Sequence, residues 1–264
     1  MSFDMKCVLD YSIGCRYKSK TQQMRVMTEN WVEMNSYCPI CGNEHIDHYK
    51  ANRPVADFYC SQCHSDFELK SQEVKKVFSL RTIPDGAYNT MISRIMSNNN
   101  PHFFFLIHQN YVIKHLFMIP KFYFSPSCII KRPPLSAHAR RSGWIGCNID
   151  LTSVPETGLV FLIKNEQCIP KNLVLDHYLK SKALAVNSIE KRGWILDVLK
   201  CVEKIPGNEF SLSDVYAFAE KLKSIHVTNH NIEAKIRQQL QVLRNRGFIE
   251  FMDRGKYRKL FSWF

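Results

Sequence analysis

The stretch that decides the fold is Cys38-Pro-Ile-Cys41, followed after residues 42–59 by Cys60-Ser-Gln-Cys63-His-Ser-Asp-Phe-Glu-Leu-Lys70. Two Cys-x-x-Cys pairs at this spacing are typical of a tetrahedral zinc site, in which thiolates fill every position and leave none for water. We therefore predict a structural Zn²⁺ ion bound by Cys38, Cys41, Cys60 and Cys63. The alternatives are four incidental cysteines, a redox pair, or a mixed site with one of three neighbouring histidines: His45, His48 or His64.

Charged residues flank the second cysteine pair. If the residues on either side of it form two strands, Asp57 lies on the first strand and Glu68 and Lys70 share one face of the second. Phe67 and Leu69 then point into the core. Two carboxylates and a backbone carbonyl are hard oxygen ligands for Mg²⁺, and a lysine beside them can stabilise a phosphodiester under attack. The alternative is a set of solvated charges on a strand face, but coupling to the cysteine pair favours a catalytic site.

The composition is that of a basic globular protein. Of the 264 residues 45% are hydrophobic, and the net charge is +12. Such a surplus favours polyanions such as nucleic acid or an anionic membrane surface, although it also serves plain solubility. No apolar run approaches the ~18 residues of a membrane span. The first residues lack the features of a secretion signal, so we expect a cytoplasmic chain whose ten cysteines are not disulfides.

The middle of the chain predicts a mixture of helices and strands. The predicted elements are a helix within residues 16–35, a turn at Pro84-Asp85-Gly86, a helix from Ala87 to Met96, and strands around Phe103–Ile107, Tyr111–Ile119 and Gly158–Ile163.

From about residue 184 the pattern changes to three helices and a hairpin. The signals are a helix over Lys191–Val202, a capping box of Ser211 and Asp214 before Val215–Leu222, a third helix from Asn229 or Asn231 to about Arg246, and a hairpin turn at Asp253-Arg254-Gly255. This order is typical of a winged helix-turn-helix. We therefore divide the chain into residues 1–183 and 184–264.

Four segments together resemble the DpnI family of methyl-directed type IIM restriction endonucleases. They are Arg53–Cys60, Phe67–Lys70, Ala139–Asp150 and Ile236–Arg244. The resemblance extends nearly to the end of the chain, with the tail Phe261-Ser-Trp-Phe264 beyond it. It implies an α+β or α/β fold: a PD-(D/E)xK nuclease core, in which helices flank a mixed sheet, with an inserted Cys₄ zinc knuckle and a C-terminal winged helix. The name of the motif places its proline and aspartate next to each other, whereas two residues separate Pro54 from Asp57 here.

The resemblance also implies an activity. Members of this family cut double-stranded DNA at GATC sites that contain N6-methyladenine, and they use magnesium. Carried over by motif, Asp57, Glu68 and Lys70 form the catalytic set, and Leu69 adds its carbonyl to the carboxylates of Asp57 and Glu68 as a magnesium ligand. The expected partner is methylated duplex DNA rather than a membrane, and the expected state is a monomer.

Two regions are candidates for reading DNA. The outward face of the third C-terminal helix offers glutamines that can contact adenine, and the wing offers cations for phosphates. A loop in residues 1–183 combines arginines with apolar side chains that could detect a methyl group. The candidates are Ala234, Lys235, Arg237, Gln238, Gln241, Arg254, Lys256, Arg258, Arg140, Arg141, Trp144 and Ile145. The alternatives are a solvated helix face and a core tryptophan.

A non-catalytic DNA-binding regulator with a zinc ribbon and a winged helix fits the cysteines, the charge and the C-terminal region equally well. Only Asp57, Glu68 and Lys70 separate this function from an endonuclease.

Overall fold

The structure, a computed structural model, describes residues 5–50, 56–74, 81–186 and 188–261. Its helices there are α1 (Tyr11–Gly14), α2 (Lys20–Asn35), α3 (Tyr88–Met96), α4 (Lys171–Lys182), α5 (Ile189–Lys204), α6 (Leu212–Tyr216), α7 (Ala219–Ile225) and α8 (Ile232–Asn245). Its strands are β1 (Asp47–His48), β2 (Phe58–Tyr59), β3 (Asp66–Glu73), β4 (Thr82–Ala87), β5 (His102–Gln109), β6 (Val112–Ile119), β7 (Ile129–Lys131), β8 (Gly146–Asp150), β9 (Val160–Lys164), β10 (Gln167–Cys168), β11 (Glu209–Ser211), β12 (Ile249–Asp253) and β13 (Lys256–Lys259).

The chain forms two compact units. The first contains Met1–Ile83, Asn99–Lys121 and Gly158–Lys182, and the second contains Pro84–Asn98, Phe122–Thr157 and Ala183–Phe264. The second unit thus joins the predicted winged helix to two segments that precede it in sequence. The domain boundary between residues 183 and 184 stays a prediction.

A mixed sheet forms the centre of the first unit. In the described residues its order is β1-β2-β3-β5-β6-β9-β10, and β3 and β5 are the parallel pair among antiparallel neighbours. The run from Phe103 to Ile107 on β5 is fully buried, which explains its uninterrupted apolar sequence. The ring of Phe67 on β3 stacks on Phe104 with centroids 4.8 Å apart. The expected mixed sheet with flanking helices is confirmed, whereas its assignment to the PD-(D/E)xK class stays a prediction.

Helix α2 packs against this sheet through one apolar face. Met27, Trp31 and Val32 are buried, and the indole nitrogen of Trp31 donates to the carbonyl of Lys6 at 2.6 Å. The helix ends at Asn35, so its last turn leads directly into the first cysteine pair. This agrees with the helix predicted within residues 16–35.

The C-terminal part of the second unit has the predicted three helices and hairpin. Strands β11, β13 and β12 form a three-stranded sheet in that order, and the turn before β13 has Gly255 at a φ of 71°, which favours glycine. The capping box of Ser211 and Asp214 is present. The second helix is interrupted after Tyr216, so α6 and α7 replace the single helix predicted there.

The turn predicted at Pro84-Asp85-Gly86 is wrong, because these residues belong to β4. Proline lacks the N–H that a central strand needs, but β4 is an edge strand of the sheet β4-β8-β7. An edge position tolerates the missing donor. The prediction that Asp57 lies on the strand before the second cysteine pair is wrong, because β2 begins at Phe58. Residues 53–55, which that prediction would also include in the strand, lie outside the described residues.

None of the helices in the described ranges combines the length and the apolar character that crossing a bilayer requires.

Replacing Phe104 with alanine is expected to destabilise the first unit by about 3–5 kcal/mol, because it removes a fully buried ring that stacks on Phe67. Urea unfolding followed by circular dichroism measures the loss. Phe251→Ala is the matched control, because that ring is 51% exposed on β12. Equal losses in the two variants would contradict the assignment of Phe104 to the core.

Candidate functional site

The two cysteine pairs fold into two turns of the same design. Gly42 donates its N–H to the carbonyl of Cys38, and His64 donates its N–H to the carbonyl of Cys60, both at 2.9 Å. Gly42 and His64 both have positive φ, 80° and 57° respectively. Each turn therefore brings the two thiols of its pair to the same side, as metal-binding knuckles do.

The four sulfur atoms lie together. Cys38 Sγ is 3.6 Å from Cys63 Sγ, and Cys41 Sγ is 3.6 Å from Cys60 Sγ. All four lie within 4.8 Å of one another. Zinc–sulfur bonds of about 2.3 Å in a tetrahedron require sulfur atoms about 3.8 Å apart. The cluster therefore fits a metal such as zinc, and the four sulfurs alone complete its coordination.

Histidine is not part of this cluster among the residues the structure describes. His48 Nε2 lies 3.5 Å from a carboxylate oxygen of Glu29, and its ring meets the edge of Phe58 with centroids 4.9 Å apart. His64 contributes its backbone to the turn. The arrangement favours the Cys₄ site over the mixed site.

The local environment acts unequally on the thiols. Burial raises the pKa of Cys38 and of Cys41. Burial also acts to raise the pKa of Cys60, but hydrogen bonds from the backbone of Cys63 and Gln62 outweigh it, and the net pKa is lowered. A bound cation would stabilise the thiolate form of these buried cysteines, which is the form that binds metal.

Asp57 is bonded to β3 on both sides of Glu68. Its N–H donates to the carbonyl of Phe67 at 2.9 Å, and its carboxylate Oδ2 accepts the N–H of Leu69 at 2.7 Å. Its own carbonyl accepts the N–H of Tyr49 at 2.8 Å. Backbone and side chain together therefore fix where the Asp57 carboxylate lies.

Glu68 and Lys70 lie on the same face of β3, opposite to Phe67, as predicted. Lys70 Nζ lies 2.5 Å from Glu68 Oε1, and the two side chains retain 18% and 20% exposure, so they are accessible but largely shielded from water. In the parallel pairing they lie beside Phe103 and Phe105, which are both fully buried. The structure thus brings all three predicted catalytic side chains to one short segment of β3.

Leu69 differs from the expectation that it points into the core. Its side chain is half-buried and, together with residues of α2, lines a cavity of about 750 Å³. Its backbone N–H is engaged by Asp57, which is consistent with a role for the main chain at this position.

The residues that the sequence did not indicate at this site lie on α2. Arg25 Nε donates to Glu29 Oε1 at 2.6 Å. The hydrogen bond and charge of Glu29 raise the pKa of Arg25, and the negative charge of Asp57 contributes more weakly. The four-residue spacing of Arg25 and Glu29 predicts a pair on a helix. No sequence signal places that pair near Asp57, because α2 and β2 are far apart in the chain.

Two protein-family models match the chain. The model described as the DpnI, Dam-replacing family matches residues 5–187, and the model described as the DpnI_C, Dam-replacing HTH domain matches residues 190–259. The chain belongs to the DpnI family. Membership of the DpnI family indicates a restriction nuclease directed to methylated DNA, and the second match indicates a DNA-binding helix-turn-helix.

The third helix predicted for the C-terminal region of this DpnI-family chain is α8. Its buried face contains the predicted Ile232, Ile236, Leu240 and Leu243 together with Gln239. Its exposed residues include Ala234, Arg237, Gln238 and Gln241, whereas Lys235 is half-buried. Arg237 donates to the hydroxyl of Tyr216 at 2.5 Å, and Lys235 Nζ lies 5.8 Å from the centre of the Trp194 ring.

The cationic side chains of the wing differ in exposure and in ion pairing. Arg254 and Lys256 are exposed at the hairpin turn. Arg258 is already paired, because its guanidinium contacts Glu209 and Glu250, each at 2.9 Å. Arg254 and Lys256 are therefore better placed for phosphates than Arg258.

The loop between β7 and β8 carries the other predicted DNA-reading residues. Arg140 and Arg141 are exposed, and Trp144 and Ile145 are half-buried, so Trp144 is not a core residue. A methyl group added to Gly146 would lie 2.8 Å from two atoms of the Trp144 ring. Glycine at this position thus lets the indole rest directly on the backbone.

Replacing Cys41 with serine is expected to remove bound zinc, because it breaks a four-sulfur site that leaves no spare ligand. Plasma mass spectrometry of the purified chain should find about one zinc per wild-type molecule and a large loss in the variant. Cys168→Ser is the matched control, a half-buried cysteine outside the cluster. Unchanged zinc content in the Cys41 variant would contradict the site.

Proposed function

We propose that this protein is a methyl-directed type II endonuclease, which hydrolyses double-stranded DNA at GATC sites containing N6-methyladenine in a magnesium-dependent reaction. The observation that carries the proposal is the hydrogen bond from the N–H of Leu69 to the Asp57 carboxylate, which holds that carboxylate against the stretch of β3 that carries Glu68 and Lys70. Family membership supports the reaction class.

The residues fit a divalent cation. The carboxylate of Asp57, just before β2, and that of Glu68 on β3 are partly shielded oxygen donors, and with the Leu69 carbonyl they form the hard ligand set that magnesium prefers. When bound, magnesium neutralises the phosphate and lowers the pKa of a water molecule. The zinc cluster has a separate, structural role.

Lys70 has two tasks in this proposal. Its ammonium group orients the attacking water and stabilises the negative charge that develops on the phosphate. Its contact with Glu68 at 2.5 Å holds the amine beside the ligand carboxylate. A fixed cation of this kind needs little reorganisation as the reaction proceeds.

Recognition is assigned to two elements. Trp144 and Ile145 supply apolar surface for a methyl group, and Arg140 and Arg141 contact the backbone phosphates. On the winged helix the bases are read from Ala234, Gln238 and Gln241, and phosphates are contacted by Lys235, Arg237, Arg254, Lys256 and Arg258. Burying one methyl group contributes ~1 kcal/mol, or about fivefold. Two readers acting on two methyl groups would reach roughly thirtyfold.

The proposal includes residues 1–183 as the nuclease domain on a PD-(D/E)xK core and residues 184–264 as the winged helix, in a cytoplasmic monomer. The family matches, which meet between residues 187 and 190, support a boundary close to this position.

Digestion of plasmid DNA tests the function. Purified protein with magnesium should cut plasmid methylated on both strands of GATC and leave unmethylated plasmid intact. Binding without cleavage in magnesium and in manganese would instead identify a DNA-binding regulator.

Lys70→Ala is expected to lower the cleavage rate by roughly 10²- to 10³-fold or more, because it removes the cation that stabilises the phosphate. Binding to methylated duplex in calcium should stay nearly unchanged. Lys114→Ala is the matched control, since Lys114 lies on strand β6 of the same sheet and its amine is also 2.5 Å from a glutamate carboxylate. A Lys70 variant that unfolds would show that the lysine is structural.

Gly146→Ala is expected to reduce the preference for methylated over unmethylated duplex by about fivefold, because the added methyl group displaces the Trp144 ring. Fluorescence anisotropy with both duplexes measures the ratio. Gly86→Ala is the control, because a methyl group there meets no atom within 4 Å. If the ratio stays at its wild-type value while the Trp144 ring has moved, Trp144 does not read the methyl group.

A further inference from the structure

The β7–β8 hairpin is held at both ends by polar side chains of α5. Before the hairpin, Arg192 Nη1 donates to the carbonyl of Phe124 at 3.4 Å. After it, Lys200 Nζ donates to the carbonyl of Val154 at 2.8 Å. Glu203 then accepts the N–H groups of Glu156 and Thr157 at 2.8 and 3.0 Å. All of these residues belong to the second compact unit.

Burying the charged side chains of Arg192 and Glu203 costs desolvation energy, but their hydrogen bonds to the backbone are strong. Arg192 is only 4% exposed, and it also donates to Asn98 Oδ1 and to the carbonyl of Val186. Burial lowers its pKa. Burial raises the pKa of Glu203, although the N–H groups of Thr157 and Glu156 and the charge of Lys200 oppose the shift. Charged groups that use the backbone as their partner fix that backbone tightly, because removing one of them leaves shielded polar groups unpaired.

The same helix also contacts the recognition helix. Trp194 on α5 is 1% exposed, and Lys235 on α8 places its amine 5.8 Å from the centre of the Trp194 ring. His226 stacks on the same ring at 3.7 Å and bonds Asp197 Oδ2 at 2.8 Å, which ties the turn before α8 to α5. Helix α5, the first helix of the winged helix, therefore contacts both the segments that flank the β7–β8 hairpin and the elements around α8.

We propose that α5 is a bridge that fixes the Trp144 loop relative to α8, with Arg192 and Glu203 acting as positioning residues for methyl readout. The two DNA-reading elements then form one reading unit. The inference rests on the proposed function, because that function assigns Trp144 and α8 to recognition. Neither Arg192 nor Glu203 has to touch DNA.

Glu203→Gln is the first test, in the full-length zinc-loaded chain. Glutamine has one acceptor oxygen where glutamate has two, so one of the N–H groups of Glu156 and Thr157 loses its partner. Hydrogen exchange over residues 129–157 should accelerate roughly tenfold. The preference for methylated over unmethylated duplex, measured in calcium, should fall by at least about threefold. Glu190→Gln is the matched control, an exposed glutamate on the same helix.

The outcomes are distinguishable. Faster exchange together with a lower methyl preference supports the bridge, and wild-type values of both overturn it, as does faster exchange with an unchanged preference. If Glu203→Gln does not fold, Lys200→Met removes a single hydrogen bond, to the carbonyl of Val154 at the same end of the hairpin. The same two measurements then apply to that variant. Trp144→Ala tests the underlying function separately: if it leaves the methyl preference intact, the assigned reader is wrong, whereas the exchange result still reports on the α5 contacts.

Discussion

The site depends on the closure of one short turn. Strand β2 has only two residues, and a strand of that length has little stability of its own. Cys60 follows it directly, and the four sulfur atoms lie within 4.8 Å of one another. A metal bound there ties the β2–β3 turn to the segment that follows α2. We therefore expect the sulfur cluster to help fix Asp57, the residue just before β2, against β3.

The consequence is that the main chain holds the proposed catalytic set. Asp57 bonds to the backbone on both sides of Glu68, and Lys70 follows two residues later on the same face. Preorganised groups of this kind stabilise a charged transition state at little reorganisation cost. A loop presenting the same three side chains would lose that advantage, because its ends could move apart.

Local patterns predicted much of this arrangement. The cysteine spacing identified the sulfur cluster, alternation along β3 gave the shared face of Glu68 and Lys70, and the apolar stripe of α8 gave its buried side. Sequence patterns gave wrong predictions where the tertiary surroundings of a residue determine its structure or burial. Pro84 is accommodated in a strand because that strand is at an edge, and Leu69 is half-buried because a cavity borders it. The ion pairs of Arg258 and the contact of Glu203 with Thr157 join residues far apart in sequence, and no periodicity reports such contacts.

The most direct test of this account is anomalous diffraction from crystals of the protein with duplex DNA, recorded at the zinc and the manganese absorption edges after manganese replaces magnesium. The account predicts a zinc peak at the centre of the four cysteine sulfurs and a manganese peak between the carboxylates of Asp57 and Glu68. A manganese peak elsewhere, or a cysteine cluster without a metal peak, would contradict it.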